Sequence, residues 1–124
     1  MADVVNISSG TFELMLHRSA VTVLTLGRLK KIIRIMMKAN WENDEAVTVF
    51  RGWLREDVDD AKGIAADVKT ELDDYWHPGV VEDTKVRRLR RELKRANRDL
   101  ERAQKLLDHF ESERKKYYGN YDYD

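Results

Sequence analysis

The sequence predicts an all-α fold, in which an antiparallel helical hairpin is followed by a third long, coiled-coil-like helix. Charged residues make up 37% of the chain, against about 25% in an average domain, and proline occurs once. The hydrophobic residues of the last third repeat in heptads, which is typical of coiled-coil packing. A chain of 124 residues is expected to form a single domain, 1–124.

The first predicted helix covers about residues 10–40, after a loose lead-in. Ser9 or Thr11 can cap its N-terminus, and Glu13 in the first turn suits the helix dipole. Apolar residues recur on more than one face of this segment, which indicates a helix packed between partners. Residues 20–26 are β-branched and nearly alternating, so the sequence leaves open whether they form helix or strand.

The second predicted helix covers residues 44–76. Asn43 suits its N-cap, and its apolar residues recur at the three- and four-residue spacings of a helical seam. Gly52 and Gly63 each cost about 1 kcal/mol against alanine, and they either allow another helix to approach closely or are merely tolerated. The seam residues expected to pack in the core or against a partner include Leu54, Val58, Val68 and Leu72.

Pro78 and Gly79 end the second helix, and Asp83 or Thr84 can cap the third, which is predicted over residues 82–118. The third helix either folds back on the hairpin as a three-helix bundle or forms part of a dimeric helical bundle. Residues 119–124 have no helical pattern and are predicted to be a disordered tail. The heptad seam includes Val86, Leu89, Leu93, Leu100, Leu107 and Phe110.

Charges balance over the whole chain but are separated into an acidic block, residues 42–83, and a basic block, residues 84–105. Either the two segments lie antiparallel and neutralise each other, which is the favoured interpretation, or the basic face is free for a polyanion. Nucleic-acid binding is not favoured, because the cations overlap the heptad and no aromatic residues are interleaved for base stacking. The basic face comprises Arg87, Arg88, Arg91, Lys94, Arg95 and Arg98.

No arrangement of residues typical of a catalytic or metal site is present in the sequence. There is no cysteine, and His17, His77 and His109 lie far apart without a metal-binding motif. Glycine-rich phosphate loops and nucleophile motifs are absent. We therefore expect a protein that is not an enzyme and that needs no metal or cofactor.

No apolar run approaches the ~20 residues that a membrane-spanning helix needs. Residues 1–11 lack the basic start and the apolar core of a cleaved signal peptide. We expect a cytoplasmic protein, or one that is exported without a cleaved signal peptide.

The break between the first two predicted helices carries a more specific pattern. Trp41-x-Asn43, followed by Phe50, resembles the Trp-x-Gly motif of small helical-hairpin proteins of bacterial type VII secretion, with Asn43 in place of the glycine. The resemblance covers roughly residues 12–76. It implies two long antiparallel helices, export without a signal peptide, and pairing as homodimers or heterodimers. The chain is equally similar to the helical helper proteins of such systems.

A second, shorter pattern lies at the end of the chain, where Tyr118 and Asp122 match the Tyr-x-x-x-Asp/Glu export signal of actinobacterial type VII systems. We therefore expect a non-enzymatic binding protein, a WxG-like type VII substrate or helper, that pairs with itself or with another helical protein. One alternative is a coiled-coil structural or adaptor protein, such as a phage or cytoplasmic scaffold. The other is polyanion or nucleic-acid binding through the basic face of the third helix.

Overall fold

A computed structural model describes residues 3–9, 12–38, 45–76 and 83–118. These residues form a small antiparallel sheet, a short 3-10 helix and three α-helices, so the protein is mostly helical. The elements in order are β1 (Val4–Ser9), β2 (Phe12–His17), a 3-10 helix (Arg18–Val23), α1 (Leu26–Lys38), α2 (Glu45–Tyr75) and α3 (Thr84–Tyr118).

Contacts within the chain divide it into two compact units. The first unit is Met1–Asp57 together with Lys105–Asp124, and the second is Val58–Gln104. The first unit holds the sheet, the 3-10 helix and α1, with the beginning of α2 and the end of α3. The second unit consists of the rest of α2 and α3, so both long helices contribute to both units.

The prediction of an all-α fold with a first helix over residues 10–40 is wrong in the N-terminal region. β1 replaces the predicted lead-in, and β2 pairs with it so that Val5 lies opposite Leu16 and Ile7 opposite Leu14. Residues 20–26 are not a strand either, since the 3-10 helix continues to Val23 and α1 begins only at Leu26. Alternating apolar residues share one face of a strand, and this face of the hairpin packs on the core.

The core of the first unit is built from every element in it. α1 contributes one apolar face, and its first turn is capped by Thr25, whose Oγ1 accepts a hydrogen bond from the Arg28 backbone N–H at 3.2 Å. The Arg18 Nε donates to Glu56 Oε2 at 3.3 Å, which ties the 3-10 helix to α2. The most deeply buried side chains of this unit are Ile7, Val21, Leu29, Met36, Phe50, Trp53, Leu54, Leu106 and Phe110.

α2 and α3 form the long antiparallel helix pair, instead of the first two predicted helices. The predicted bounds of both helices, 44–76 and 82–118, agree with the structure to within two residues. In the second unit the residues buried along this pair are Val58, Ala61, Ala65, Val86, Leu89, Ala96 and Ala103.

Asp83 caps α3, as the sequence predicts. Its Oδ1 accepts a hydrogen bond from the Val86 backbone N–H at 3.0 Å, and its Oδ2 accepts one from the Tyr75 hydroxyl at 2.6 Å. The Tyr75 hydrogen bond, followed by that of the Val86 N–H, lowers the pKa of Asp83. The last turn of α2 is thereby fastened to the first turn of α3.

The glycines of α2 do not mark a close helix approach within the described chain. A Cβ built at Gly52 or Gly63 meets no atom within 4 Å. Because Gly63 is exposed in the helix interior, we expect Gly63→Ala to raise the free energy of unfolding by about 0.5–1 kcal/mol. Urea denaturation of the two proteins measures this change. A lower free energy of unfolding for the alanine variant would contradict the open environment of this position.

Candidate partner-binding surface

The seam between α2 and α3 is only partly covered in the second unit. The α3 row that holds Leu89, Ala96 and Ala103 is buried, whereas the other heptad row begins at the buried Val86 and continues with Leu93 and Leu100, which are half-buried. On α2, Val68 and Leu72 are half-buried, and Ile64 is 58% exposed. These five residues, Ile64, Val68, Leu72, Leu93 and Leu100, are called the open seam below.

More than half of the residues buried inside this pair are alanines. Two of the three buried α2 positions, Ala61 and Ala65, and two of the four buried α3 positions, Ala96 and Ala103, are alanines. Hydrophobic stabilisation scales with the apolar area removed from water, at roughly 25 cal/mol per Å², and an alanine removes little. The second unit therefore buries four alanines along this pair while Ile64, Val68, Leu72, Leu93 and Leu100 stay at least partly accessible.

The acidic residues of α2 are also free of direct partners in the second unit. Asp59, Asp60, Asp67, Asp73 and Asp74 are all exposed, and none forms an ion pair within the described part of the chain. The acidic and basic segments do lie antiparallel, as the neutralisation interpretation requires. These five aspartates nevertheless form no ion pair with the basic segment among the described residues.

The predicted basic face of α3 is exposed along its whole length. Arg88 makes an exposed ion pair with Glu92 of the same helix, with Nε and Oε1 3.7 Å apart. The remaining cations of this face form no ion pair among the described residues, and a shallow depression is lined by Thr84, Arg87, Arg90 and Arg91. All six predicted residues are exposed: Arg87, Arg88, Arg91, Lys94, Arg95 and Arg98.

Aromatic residues at the end of α2 hold two further cations of α3. The Lys85 ammonium lies 4.3 Å from the centre of the Tyr75 ring, and the Arg90 guanidinium lies 5.3 Å from the centre of the Trp76 ring. Both contacts are short enough for a cation–π attraction. They add contacts between the C-terminal end of α2 and the first turns of α3.

Of the predicted hinge motif, only Phe50 lies among the described residues. Its ring packs edge-on against Trp53, with ring centres 6.3 Å apart, and against Phe110, with ring centres 5.8 Å apart. Trp41 and Asn43 lie outside the described residues. Of the predicted export signal, Tyr118 is the last residue of α3, and Asp122 lies outside the described residues.

In the first unit α2 and α3 are joined by an ion pair beside the aromatic cluster. The Arg51 guanidinium donates from Nε to Glu111 Oε1 and from Nη2 to Glu111 Oε2, the latter at 2.9 Å. This hydrogen bonding is the main cause of a lowered pKa of Glu111 and a raised pKa of Arg51. Leu54 and Phe110 are buried next to it, and Leu107 is half-buried.

The lowered pKa of Glu111 makes the ion pair sensitive to acid. A carboxylate whose pKa is lower in the folded state stabilises the fold above its unfolded pKa, about 4.3, and loses that contribution as the pH falls through the folded pKa. We expect Glu111→Gln to cost about 1 kcal/mol at neutral pH, because the pair is partly exposed, and much less near pH 3. Urea denaturation at both pH values measures the difference. Glu101→Gln is the control, since Glu101 is exposed and unpaired among the described residues, and an equal cost of Glu111→Gln at both pH values would contradict the prediction.

Sequence reasoning missed several core residues. Val5 and Ile7 are buried through the hairpin, and their alternation before Ser-Gly-Thr is a hairpin signal that could have found them. Leu106 is buried although it lies between the two heptad rows. Trp53 is also fully buried. It lies three residues after Phe50 on α2, and nothing in the sequence indicated its burial separately.

Two other kinds of site, a membrane-spanning helix and a metal centre, were looked for among the described residues. None of the helices within them is long and apolar enough to cross a membrane. They contain no cluster of three or more histidine, aspartate or glutamate side chains placed to bind a metal ion. Comparisons with models of protein families, with curated proteins and with solved structures find no match.

Proposed function

We propose that this protein is a non-enzymatic binding protein whose α2–α3 pair associates with another helical chain. The observation that supports the proposal most is the open seam, because it leaves large apolar residues of a heptad accessible while alanines are buried. Apolar residues that remain accessible on a soluble protein, when they form a patch, mark an interaction surface. A partner would complete the packing that the second unit begins.

The spacing of the open seam favours a helix as the partner. Leu93 and Leu100 are seven residues apart, and Ile64, Val68 and Leu72 follow one another at four-residue intervals. An amphipathic helix offers side chains at the same intervals, so its knobs can enter the spaces between these residues. A second copy of this chain and a different helical protein both meet this requirement.

A pair of matched double variants tests the proposal. Leu93→Gln with Leu100→Gln makes the open seam polar, whereas Ala66→Gln with Thr70→Gln adds the same side chains at exposed α2 positions outside it. We expect the first variant to lose a self-association seen by sedimentation, or a co-purifying helical chain, and the second to keep it. Circular dichroism confirms that both variants remain helical. A wild-type chain that is a strict monomer and co-purifies with nothing would refute the proposal, and the monomer would also remove the scaffold alternative.

A narrower form of the proposal is that the chain is a WxG-like type VII secretion substrate or a helper that pairs with one. It is supported by the residues Trp41, Asn43 and Phe50. The short α1, of 13 residues, departs from the long first helix that the resemblance implies. Expression with and without a working type VII system tests this form. Equal retention in the cytoplasm would contradict a role as an exported substrate, whereas Trp41→Ala should abolish export if the motif acts as proposed.

Polyanion binding is a second candidate, because the basic face of α3 is exposed and largely without ion pairs in the described chain. Neutralising Arg87, Arg91 and Arg95 to glutamine should then weaken retention on a phosphate-rich column, and retention should fall steeply with salt. A matched variant with Arg55, Lys62 and Lys69 changed to glutamine removes the same charge from α2. Equal loss in both variants, or retention that ignores salt, would exclude specific binding by this face.

A further inference from the structure

A cleft of about 130 Å³ opens into the core of the first unit beside β2, the 3-10 helix and α1. Its floor is formed by buried apolar side chains, and its rim carries the exposed residues Met15, His17, Ala20 and Arg28. The floor residues are Leu16, Val21, Leu24, Ile32 and Phe50. The cleft thus combines an apolar interior with a mouth that carries one arginine and one histidine.

The mouth of the cleft is positive. The Arg28 guanidinium forms no ion pair among the described residues, and none of the residues that line the cleft is acidic. α1 contains no aspartate or glutamate, and the exposed Lys30, Lys31 and Arg34 follow Arg28 along it. The N-terminal end of α1 adds the positive pole of its helix dipole. An anionic group is therefore attracted to the rim.

We propose that this cleft binds a small apolar carboxylate, with its ring or short chain on the apolar floor and its carboxylate on Arg28. The size suits such a ligand, because an apolar protein cavity of about 150 Å³ accommodates benzene. Arginine suits the carboxylate, because its planar fork of donors forms charge-assisted hydrogen bonds with both oxygens. The exposed imidazole of His17 on the rim offers one further donor. This binding is independent of the helix pairing proposed for the second unit.

Benzoate and benzyl alcohol are the two probes, since they share a ring and differ in the charged group. Titration into isotopically labelled protein is followed by the backbone amide signals of β2, the 3-10 helix and the first turns of α1. We expect saturable shifts of these signals with benzoate. Benzyl alcohol should bind at least about tenfold more weakly, because it forms no charge-assisted hydrogen bond with Arg28.

Two rim variants and one control separate the contact with Arg28 from access to the apolar floor. Arg28→Gln should weaken benzoate about tenfold and leave benzyl alcohol unchanged. Ala20→Leu should weaken both probes, because the larger side chain fills the mouth. Lys62→Gln removes the same charge from α2 in the second unit and should change nothing. Benzyl alcohol binding as tightly as benzoate, unchanged benzoate binding by Arg28→Gln, or no saturable shift with benzoate would each overturn the proposal.

Discussion

Replacing Phe50 with alanine is expected to lower the free energy of unfolding by about 3–5 kcal/mol. Phe50 is 1% exposed and belongs to α2, while its neighbours Trp53 and Phe110 belong to α2 and α3. The substitution leaves a cavity and also removes two edge-on aromatic contacts, each worth about 0.5–1.5 kcal/mol beyond the buried area. The α2–α3 packing of the first unit depends on this one ring more than on any ion pair described above.

Urea denaturation followed by circular dichroism measures the effect of Phe50→Ala. Phe50→Leu keeps most of the volume and should lose less than the alanine variant. Val49→Ala is the local control, because Val49 is the preceding residue of α2 but only half-buried. A loss below about 1 kcal/mol for Phe50→Ala would show that the ring is not part of a close-packed core.

Replacing Ile7 with alanine is expected to cost about 2–4 kcal/mol. Ile7 is completely inaccessible and comes from β1, whose one paired strand among the described residues is β2. A two-stranded hairpin is marginal on its own in water, so its stability has to come from side chains such as this one packed on the helices. The prediction therefore tests whether the sheet belongs to the core of the first unit.

Val4→Ala is the matched control for Ile7→Ala, since Val4 is in the same strand but 41% exposed. Its cost should stay below about 1 kcal/mol, in the range of substitutions outside the core. Equal and small losses for both variants would mean that the hairpin contributes no fixed packing. Hydrogen exchange of the β1 and β2 amides gives a second measurement, because it reports local opening of the sheet directly.

The two long helices could be predicted because their signals are local. Apolar spacing, the Asp83 cap and the Pro-Gly break act within a few residues of one another, and tertiary packing only reinforced them. The prediction for the N-terminal region was wrong for a physical reason as well. An i, i+4 pair such as Phe12 and Leu16 fits both a helix and a strand, since four residues are two full strand periods and about one helical turn.

The apolar residues of the candidate binding surface could be predicted from the sequence, but which of them are buried could not. The row with Leu93 and Leu100 and the row with Ala96 and Ala103 have the same heptad spacing, so the sequence alone does not say which row faces α2. In the structure Ala96 and Ala103 are buried, whereas Leu93 and Leu100 are half-buried. The cleft beside Arg28 could not be predicted for the same reason, since it is formed by residues from four elements that only the fold brings together.

The position of Trp53 has an optical consequence. Its indole is 1% exposed, and its Nε1 finds no hydrogen-bond acceptor within the described parts of the chain. An indole that is shielded from water and has no hydrogen-bond acceptor fluoresces at shorter wavelength than a solvated one. Trp76 belongs to the second unit and is partly exposed beside Arg90. Its fluorescence should therefore lie at longer wavelength. In a Trp41→Phe variant, each unit would contain one tryptophan. The two emission wavelengths would then show whether the units unfold in the same transition.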